Sequence, residues 1–415
     1  MSLRNKRIAI LNDSTKYGRL TIMQQPIVHT YSLGELYTER KEKGDPSLPI
    51  LTVSIHAGVS EGELDEDKLG KKVKRIADKT QYKTAHKGDL VFNTMRAWQG
   101  AIGVVRSDGL VSPAYIVAKP NGKIWPEYMD YCMKTPRMIH AIHRQSYGVT
   151  DFRLRLYWDS FTPITCQLPT LPEQQKIAAI LSTQDKVIEL KEKLLVQKQQ
   201  QKKYLMQQLL TGKKRLPGFD RKWNYVKANE IFKSIVDKSY DGKLEVLSST
   251  QDKGIVPRSQ VDIDIKYNEN SLSTYKKVCE GDFVISLRSF QGGIEYSNYA
   301  GIVSPAYTVL RAIVKIDAGY YKQFFKSSNY IKRLNVAVYG IRDGKQISYD
   351  DFGQIKIPVP PIEEQREVAK MLSTADHEID LLQKSLEAEK QKKKALMQLL
   401  LTGKVRVEDE QKQDG

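Results

Sequence analysis

Positions 177, 181, 184, 188, 191, 195, 198, 202, 205 and 209 follow a four-three spacing, the seam of a coiled-coil helix. They read Ile177, Leu181, Gln184, Ile188, Lys191, Leu195, Lys198, Lys202, Leu205 and Leu209, apolar at both ends and polar in the middle. The seam returns 191 positions later as Val368, Leu372, Ala375, Ile379, Leu382, Leu386, Glu389, Lys393, Leu396 and Leu400. Start signals precede both copies: Pro172 with Glu173, and Pro361 with Glu363 and Glu364. Gly212 and Gly403 are the stop signals. A 39-residue helix is about 58 Å long at 1.5 Å per residue, too long for one globular core. Such a narrow stripe needs a partner helix, and the other copy is the obvious one. The constant offset means that neither copy has gained or lost a residue, so the length itself matters. The polar seam positions are the weak point of this pairing, with Leu386 and Glu389 as the expected opposite residues and a bowing apart, or a docked partner, as the consequence.

Elsewhere the pattern is short. LPILTVS, GDLVFNTM, GAIGVV and GLVSPAYIVA are apolar stretches between Gly, Pro and Asp breaks, which predict strands joined by turns. Pro126–Gln145 predicts a helix. A second mixed segment repeats this order. GDLVFNTMRAWQGAIG (88–103) matches GDFVISLRSFQGGIE (281–295), VSPAYIVAKP (111–120) matches VSPAYTVLRA (303–312), and Pro126–Gln145 matches Ala318–Leu334. YSLGELY (31–37) answers VKANEIF (226–232), and Gly148 answers Gly340. The chain is thus one unit of about 190 residues written twice, a duplication of domains rather than a solenoid. The predicted fold class is α+β: two mixed α/β domains, 1–168 and 216–357, separated by an antiparallel pair of long coiled-coil helices, 169–215 and 358–404. Residues 1–30 form an unassigned lead-in, and 405–415 a disordered tail. The frame pieces agree between copies, whereas the loops do not. HAGVSEGELDEDKLGKKVKRIADKTQ in the first stands where SSTQDKGIVPRSQVDIDIKYNENS stands in the second. A shared frame with different loops suits two modules that bind different versions of one kind of target.

Composition narrows that target. The 415 residues carry a net charge of +17, which favours a polyanionic partner. Residues 169–215 hold ten Lys and Arg against four acids, and 358–415 hold ten against twelve, so the two helices suit each other electrostatically. Three cysteines without CxxC spacing make a disulfide framework or zinc site improbable, and reduced thiols are the default. No apolar run spans a membrane, and MSLRNKRIAILNDS lacks the apolar core of a signal peptide, so a cytoplasmic location is expected. Neither a GxxxxGK[ST] loop nor a GxGxxG or HExxH motif occurs, nor a run of the kind adenine methyltransferases use at a flipped base. Asp89 and Asp282 are the only repeated acids at strand starts, and turn formation explains them. The chain has no catalytic, cofactor or metal site of its own and reads as a binding scaffold.

LPTLPEQQKIAAIL with LMQQLLTGK, VPPIEEQREVAKML with LMQLLLTGK, and the two GD…QG…VSPAY modules between them resemble the specificity subunit of type I restriction-modification enzymes. The resemblance covers nearly all of 31–404, although 1–30 lack the Trp-containing lead that Trp223–Ile231 gives the second module. It implies two target-recognition domains, each reading one half of a split double-stranded DNA site. It further implies two modification subunits on the helices carrying S-adenosylmethionine, and restriction subunits that use ATP and Mg. The alternative is a stand-alone coiled-coil DNA-binding scaffold or regulator; a self-contained methyltransferase or nuclease is disfavoured by the missing motifs.

Under this reading, the helices set the spacing between half-sites, and two linked weak readers act as one strong one. Candidate DNA-binding residues are Asn93, Arg96, Gln99, Arg153 and Arg155 in the first domain, and Arg288, Gln291, Arg342, Lys345 and Gln346 in the second. The pairs Arg96/Arg288 and Gln99/Gln291 recur in both copies, which favours frame support or phosphate contact over base reading. The Lys-rich helix faces (Lys198, Lys202, Lys203, Lys390 and Lys392–Lys394) are expected to be solvated. Helix packing is assigned to Ile177, Leu181, Ile188, Leu195, Leu205 and Leu209 against Val368, Leu372, Ile379, Leu386, Leu396 and Leu400.

Overall fold

The structure is a computed structural model that describes residues 20–21, 29–55, 58–61, 78–148, 150, 153–240, 244–261, 269–337 and 347–407. The chain divides into two compact units, Met1–Leu190 with Leu386–Gly415, and Lys191–Ser385. Both divisions cut through the long helices, Leu171–Leu209 and Ile362–Leu400, rather than falling at their ends.

In the first unit the strands are β1 (Leu20–Thr21), β2 (His29–Ser32), β3 (Tyr37–Arg40), β4 (Leu51–Ser54), β5 (Gly58–Glu61), β6 (Lys83–Ala85), β7 (Leu90–Asn93), β8 (Ile102–Val104), β9 (Gly109–Val111), β10 (Tyr115–Pro120) and β11 (Thr165–Leu168). The central sheet runs β3-β10-β7-β8, all antiparallel. The run Leu90-Val91-Phe92 is apolar throughout because this strand is covered on both faces. Leu90 and Phe92 enter one core, and Val91 enters another with Leu51, Val53 and Val117. The β4–β5 hairpin and the β6–β9 pair stand beside the central sheet.

The second unit repeats this plan with β12 (Asn224–Lys227), β13 (Phe232–Ile235), β14 (Leu247–Thr250), β15 (Gly254–Pro257), β16 (Lys276–Val278), β17 (Phe283–Ile285), β18 (Glu295–Tyr296), β19 (Gly301–Val303), β20 (Thr308–Ala312) and β21 (Lys356–Val359). Its sheet runs β13-β20-β17-β18. Phe283 and Ile285 face the main core, and Val284 faces the smaller one. That main core is more aromatic than its counterpart. Phe232 meets Phe283, Tyr321 and Phe325 at centroid distances of 5.3–5.4 Å.

The helix predicted over Pro126–Gln145 is two helices, Pro126–Met133 and Pro136–Gln145. Pro136 has no N–H to continue the first, and Thr135 Oγ1 caps the second by accepting from Met138 N–H. Its counterpart is likewise split into Ala318–Phe325 and Ser328–Ala337, with Ser327 Oγ accepting from Tyr330 N–H. The tail also departs from expectation. Arg406–Val407 pairs with β1, and Val405 and Val407 are buried, so the first residues of the expected tail are packed. The remainder of the expected tail lies outside the described residues.

The repeated Glu-Gln at each helix start has a tighter role than meeting the helix dipole. Gln174 accepts Trp125 N–H through Oε1 (2.9 Å) and donates through Nε2 to Pro169 O (2.9 Å). Gln365 does the same with Asp317 N–H and Pro360 O. Both glutamines are almost fully buried, so each long helix is locked to the domain before it. The preceding acid takes an arginine from just beyond the other long helix. Glu173 pairs with Arg406 in the first unit, and Glu364 with Arg215 (2.6 Å) in the second. At the stop signals Gly212 and Gly403 adopt φ of 69° and 68°, which close the helices as left-handed caps.

Within each unit the helix segments pack antiparallel. Ile177 and Leu181 share a core with Leu396 and Leu400, and Leu209 shares one with Val368 and Leu372. Leu386 is buried, whereas Ile188, Leu195, Leu205 and Ile379 are half-buried. The polar seam positions all have mates, contrary to the expected mismatch. In the first unit Gln184 donates to Glu389 Oε2 (2.7 Å). In the second, Lys191 donates to Ser385 Oγ (2.7 Å), Lys198 pairs with Glu378 (2.8 Å), and Lys202 with Asp376. Lys393, expected to be solvated, pairs with Asp185 (2.5 Å) and lies 5.6 Å from the centre of the Tyr131 ring. Polar pairs of this kind specify register rather than add much stability.

Among the described residues no helix is long and apolar enough to cross a membrane, and no group of three or more His, Cys, Asp or Glu could hold a metal. Burial pushes the Cys132 thiol up to about 12, which leaves it a packing residue.

Candidate nucleic-acid interface

The repeated motifs build one frame in each domain. Gly88 and Gly281, both at φ 93°, turn the chain into β7 and β17. The next residue, Asp89 or Asp282, is buried and accepts a pair of hydrogen bonds from a guanidinium. Arg40 donates to Asp89 through Nε (2.8 Å) and Nη2 (3.3 Å), and Arg311 donates to Asp282 through Nε (2.8 Å) and Nη2 (2.7 Å). Turn formation therefore describes only half of what these acids do. VSPAY forms a turn whose last carbonyl accepts a lysine from a neighbouring strand, Lys83 onto Tyr115 O (2.7 Å) and Lys276 onto Tyr307 O (2.6 Å). Burial pushes both lysines below their ordinary range.

After β7 and β17 the chain makes a short helical turn that carries the paired candidates. Arg96 and Gln99 are exposed on the first, Arg288 and Gln291 on the second. Each arginine lies near the VSPAY tyrosine. Burial pushes Tyr115 and Tyr307 above the ordinary phenol range; the Arg96 charge opposes the shift of Tyr115, and those of Arg258 and Arg288 oppose that of Tyr307. Asn93 is only 8% exposed, and its Oδ1 accepts Met95 N–H (3.1 Å), so it is spent on the turn.

In the first domain Leu156 N–H donates to Thr94 O (2.9 Å), which brings the exposed Arg153 and Arg155 beside the Arg96 turn. Tyr147 and Tyr157 flank them, both exposed, with ring centres 5.2 Å apart and the rings tilted by 38°. The sequence reading missed these tyrosines, although Arg-X-Arg between two aromatics was visible. Arg342, Lys345 and Gln346 lie outside the described residues.

The second domain holds a cleft of about 650 Å³ between the β14–β15 hairpin and the turns after β17 and β19. Ser248, Arg258, Gln260, Ser286, Arg288 and Tyr307 line it. Only Arg288 among these was anticipated. Hydroxyls, an amide and two guanidiniums suit hydrogen bonding to an anionic, acceptor-rich ligand.

Comparison with known proteins agrees with this architecture. The family model for the type I restriction modification DNA specificity domain matches twice, at residues 32–198 and 220–390. A putative type I restriction enzyme MjaX specificity subunit of Methanocaldococcus jannaschii is 25% identical over 89% of this chain and 90% of its own length. The MjaVIII specificity subunit of the same organism is 27% identical over 72% of this chain and 75% of its own. In fold, the chain is similar to the HsdS subunit of Thermoanaerobacter tengcongensis, with TM-score 0.50 and 21% identity over 91% of this chain and 97% of that one. It is also similar to a type I S subunit from M. genitalium, with TM-score 0.54 and 14% identity over 92% of this chain and 98% of that one. With the domain matched twice over most of its length, and the duplicated frame present at both matches, the chain belongs to the type I restriction-modification DNA specificity family.

Proposed function

We propose that this specificity subunit reads an asymmetric, bipartite double-stranded DNA site, one half with each recognition domain, and that its long helices set the spacing and dock two modification subunits. The supporting observation is the pair of domains with one frame and different loop sequences around it. A frame common to both meets what is common to any duplex, its phosphates; side chains that differ meet bases that differ. The net charge of +17 favours the duplex as partner, in a salt-dependent way. The chain contributes recognition alone. S-adenosylmethionine belongs to the modification subunits, and ATP and Mg to any restriction subunits.

Docking on the helices is supported by apolar side chains left exposed in the second unit, Leu194, Val196, Tyr204 and Leu381. A groove of about 570 Å³ beside them is lined by Leu205, Phe219, Met371, Lys202, Glu367 and Glu378. Exposed apolar residues rimmed by charges mark protein interfaces.

The test is to map methylated adenines in DNA from cells carrying the complex. Four residues inserted after Leu190, matched by four after Ser385, add about 6 Å of helix, roughly two base pairs. The spacing of the methylated site should change while both half-sites stay the same. Altered half-sites would sink the spacing role. A chain that supports no methylation with any adenine methyltransferase subunit would favour the stand-alone scaffold.

A further inference from the structure

We propose that Met95 in the first domain and Leu287 in the second are apolar wedges that enter the base stack and fill the space left when the target adenine of each half-site is turned out of the duplex. This assignment rests on the function proposed above.

Single exposed apolar residues are ordinary on a protein surface. These two are a matched pair. Met95 is 46% exposed and Leu287 50%, and each stands directly before the shared arginine, Arg96 or Arg288. Among the described residues, this is the one position of the recognition-domain frame at which both copies expose a large apolar side chain. The residues leading into it differ, Asn93-Thr94 in one copy and Ile285-Ser286 in the other, yet an apolar side chain of similar volume is kept.

Different bonds hold the two tips in the same form. In the first domain Thr94 Oγ1 donates to Ala114 O (3.0 Å), and Met95 N–H donates to Asn93 Oδ1 (3.1 Å). Trp98 Nε1–H donates back to Met95 O (3.0 Å). In the second, Ser286 N–H donates to Ser289 Oγ (2.8 Å), and Ser289 N–H donates to Ser286 O (3.1 Å). The flanking residues are buried, Thr94 and Ala97 in one, Ser286 and Ser289 in the other. Each tip therefore presents one apolar and one cationic side chain from an ordered turn, so little freedom is lost on binding. Leu287 and Arg288 both line the cleft of the second domain.

The duplication limits what this pair can meet. An apolar side chain gains nothing from phosphate, which falls to the neighbouring arginine. Base edges differ between the half-sites, so a side chain common to both domains does not read them. Two things remain common to both half-sites, the stacked interior of the duplex and an adenine to be methylated. That adenine is reached only when it is extruded, which leaves a gap in the stack. Leucine and methionine are among the side chains that proteins insert between bases.

The experiment uses the full complex carrying wild-type chain, Met95→Ala, Leu287→Ala, Met95→Leu or Leu287→Met. The probe is a duplex with the mapped site, in which 2-aminopurine, fluorescent when unstacked, replaces one target adenine at a time. Met95→Ala should lower the extruded population about 10-fold in one half-site, and Leu287→Ala in the other, because part of the unstacking cost is no longer offset. The sequence read should not change, and the Leu and Met exchanges should behave as wild type. A mismatched base opposite the probe makes extrusion easier and should bring the Ala variants back towards wild type. Unchanged fluorescence in both Ala variants overturns the assignment, as does an altered recognition sequence, a loss in both half-sites from one variant, or no recovery at the mismatch. The alternative of contact with a thymine methyl is separated by placing uracil opposite the probe. If uracil costs the wild type as much as alanine does, the assignment falls. If the wild-type complex yields no bipartite site, the underlying reading fails and this assignment with it. If it yields one and the Ala variants extrude both adenines normally, only the assignment fails.

Discussion

Asp89 in the first domain and Asp282 in the second hold the same place at the start of the same strand, yet their arginines come from different strands. Arg40 reaches Asp89 from β3, and Arg311 reaches Asp282 from β20. Where Arg40 stands the second domain has Ile235, and where Arg311 stands the first has Lys119. The same exchange occurs around a lysine. Lys134 pairs with Asp130 on its own helix (3.0 Å), whereas Lys326 pairs with Glu295 on β18. In the first domain the strand position opposite that lysine is Gly103, which has no carboxylate to offer. The lesson is that a buried charge constrains the sum of its surroundings, not the residue at any one position. Each copy was free to move the counter-charge to an adjacent strand provided the buried carboxylate stayed neutralised.

The largest expected effect comes from the ion pairs at the helix starts, which both units keep in the same way. Arg215→Ala strands Glu364, 1% exposed, beside Trp223 and should destabilise the second unit by about 3–5 kcal/mol. Arg406→Ala should do the same to the first unit through Glu173. Hydrogen exchange resolved by peptide checks that each loss is confined to its own unit; a loss shared equally by both would break the picture of two separately locked helix starts.

The exchanged pairs come next. Arg40→Ala should cost about 2–3 kcal/mol in the first domain, since Asp89 keeps only its bond from His86 N–H (2.9 Å). Adding Lys119→Arg places a guanidinium where Arg311 acts in the second domain, and should recover part of that loss. Urea unfolding of the single and double variants measures it. No recovery would mean that the two arginine positions are not interchangeable.

The smallest effect separates the domains by pH. His86 lies 2.8 Å from Asp108 and 3.1 Å from Glu42, and the bond to Asp108, aided by Glu42, raises its pKa above 6.5. Its stabilisation is therefore complete below about pH 6.5 and is lost as pH rises through the raised folded value. The counterpart in the second domain is Cys279. His86→Asn should destabilise the first domain by less than about 1 kcal/mol at pH 6, because the group is partly exposed, and by less still at pH 8. Unfolding curves at the two pH values decide this.

The duplication, both long helices and their caps were legible from periodicity, since a seam and its stop signals are local properties of the chain. So were the strands, where a short apolar run between turns admits few alternatives. The break at Thr135–Pro136 was equally local and was overlooked. Glu389, the mate of Gln184, was among the expected opposite residues, but the mates of Lys191, Lys198 and Lys202 were not legible. Each is supplied by a residue more than 170 positions away, and a polar seam residue looks the same whether it is paired or solvated. Nor were Arg258 and its cleft, because a cleft exists only once the hairpin and two turns from separate parts of the chain stand together. By itself the sequence determined which segments repeat and what lengths they keep, because periodicity and chain turns are set by neighbouring residues. Only the tertiary structure decided which arginine neutralises which acid and which polar side chains line the cleft. Those depend on distances between strands, to which one-dimensional order is blind.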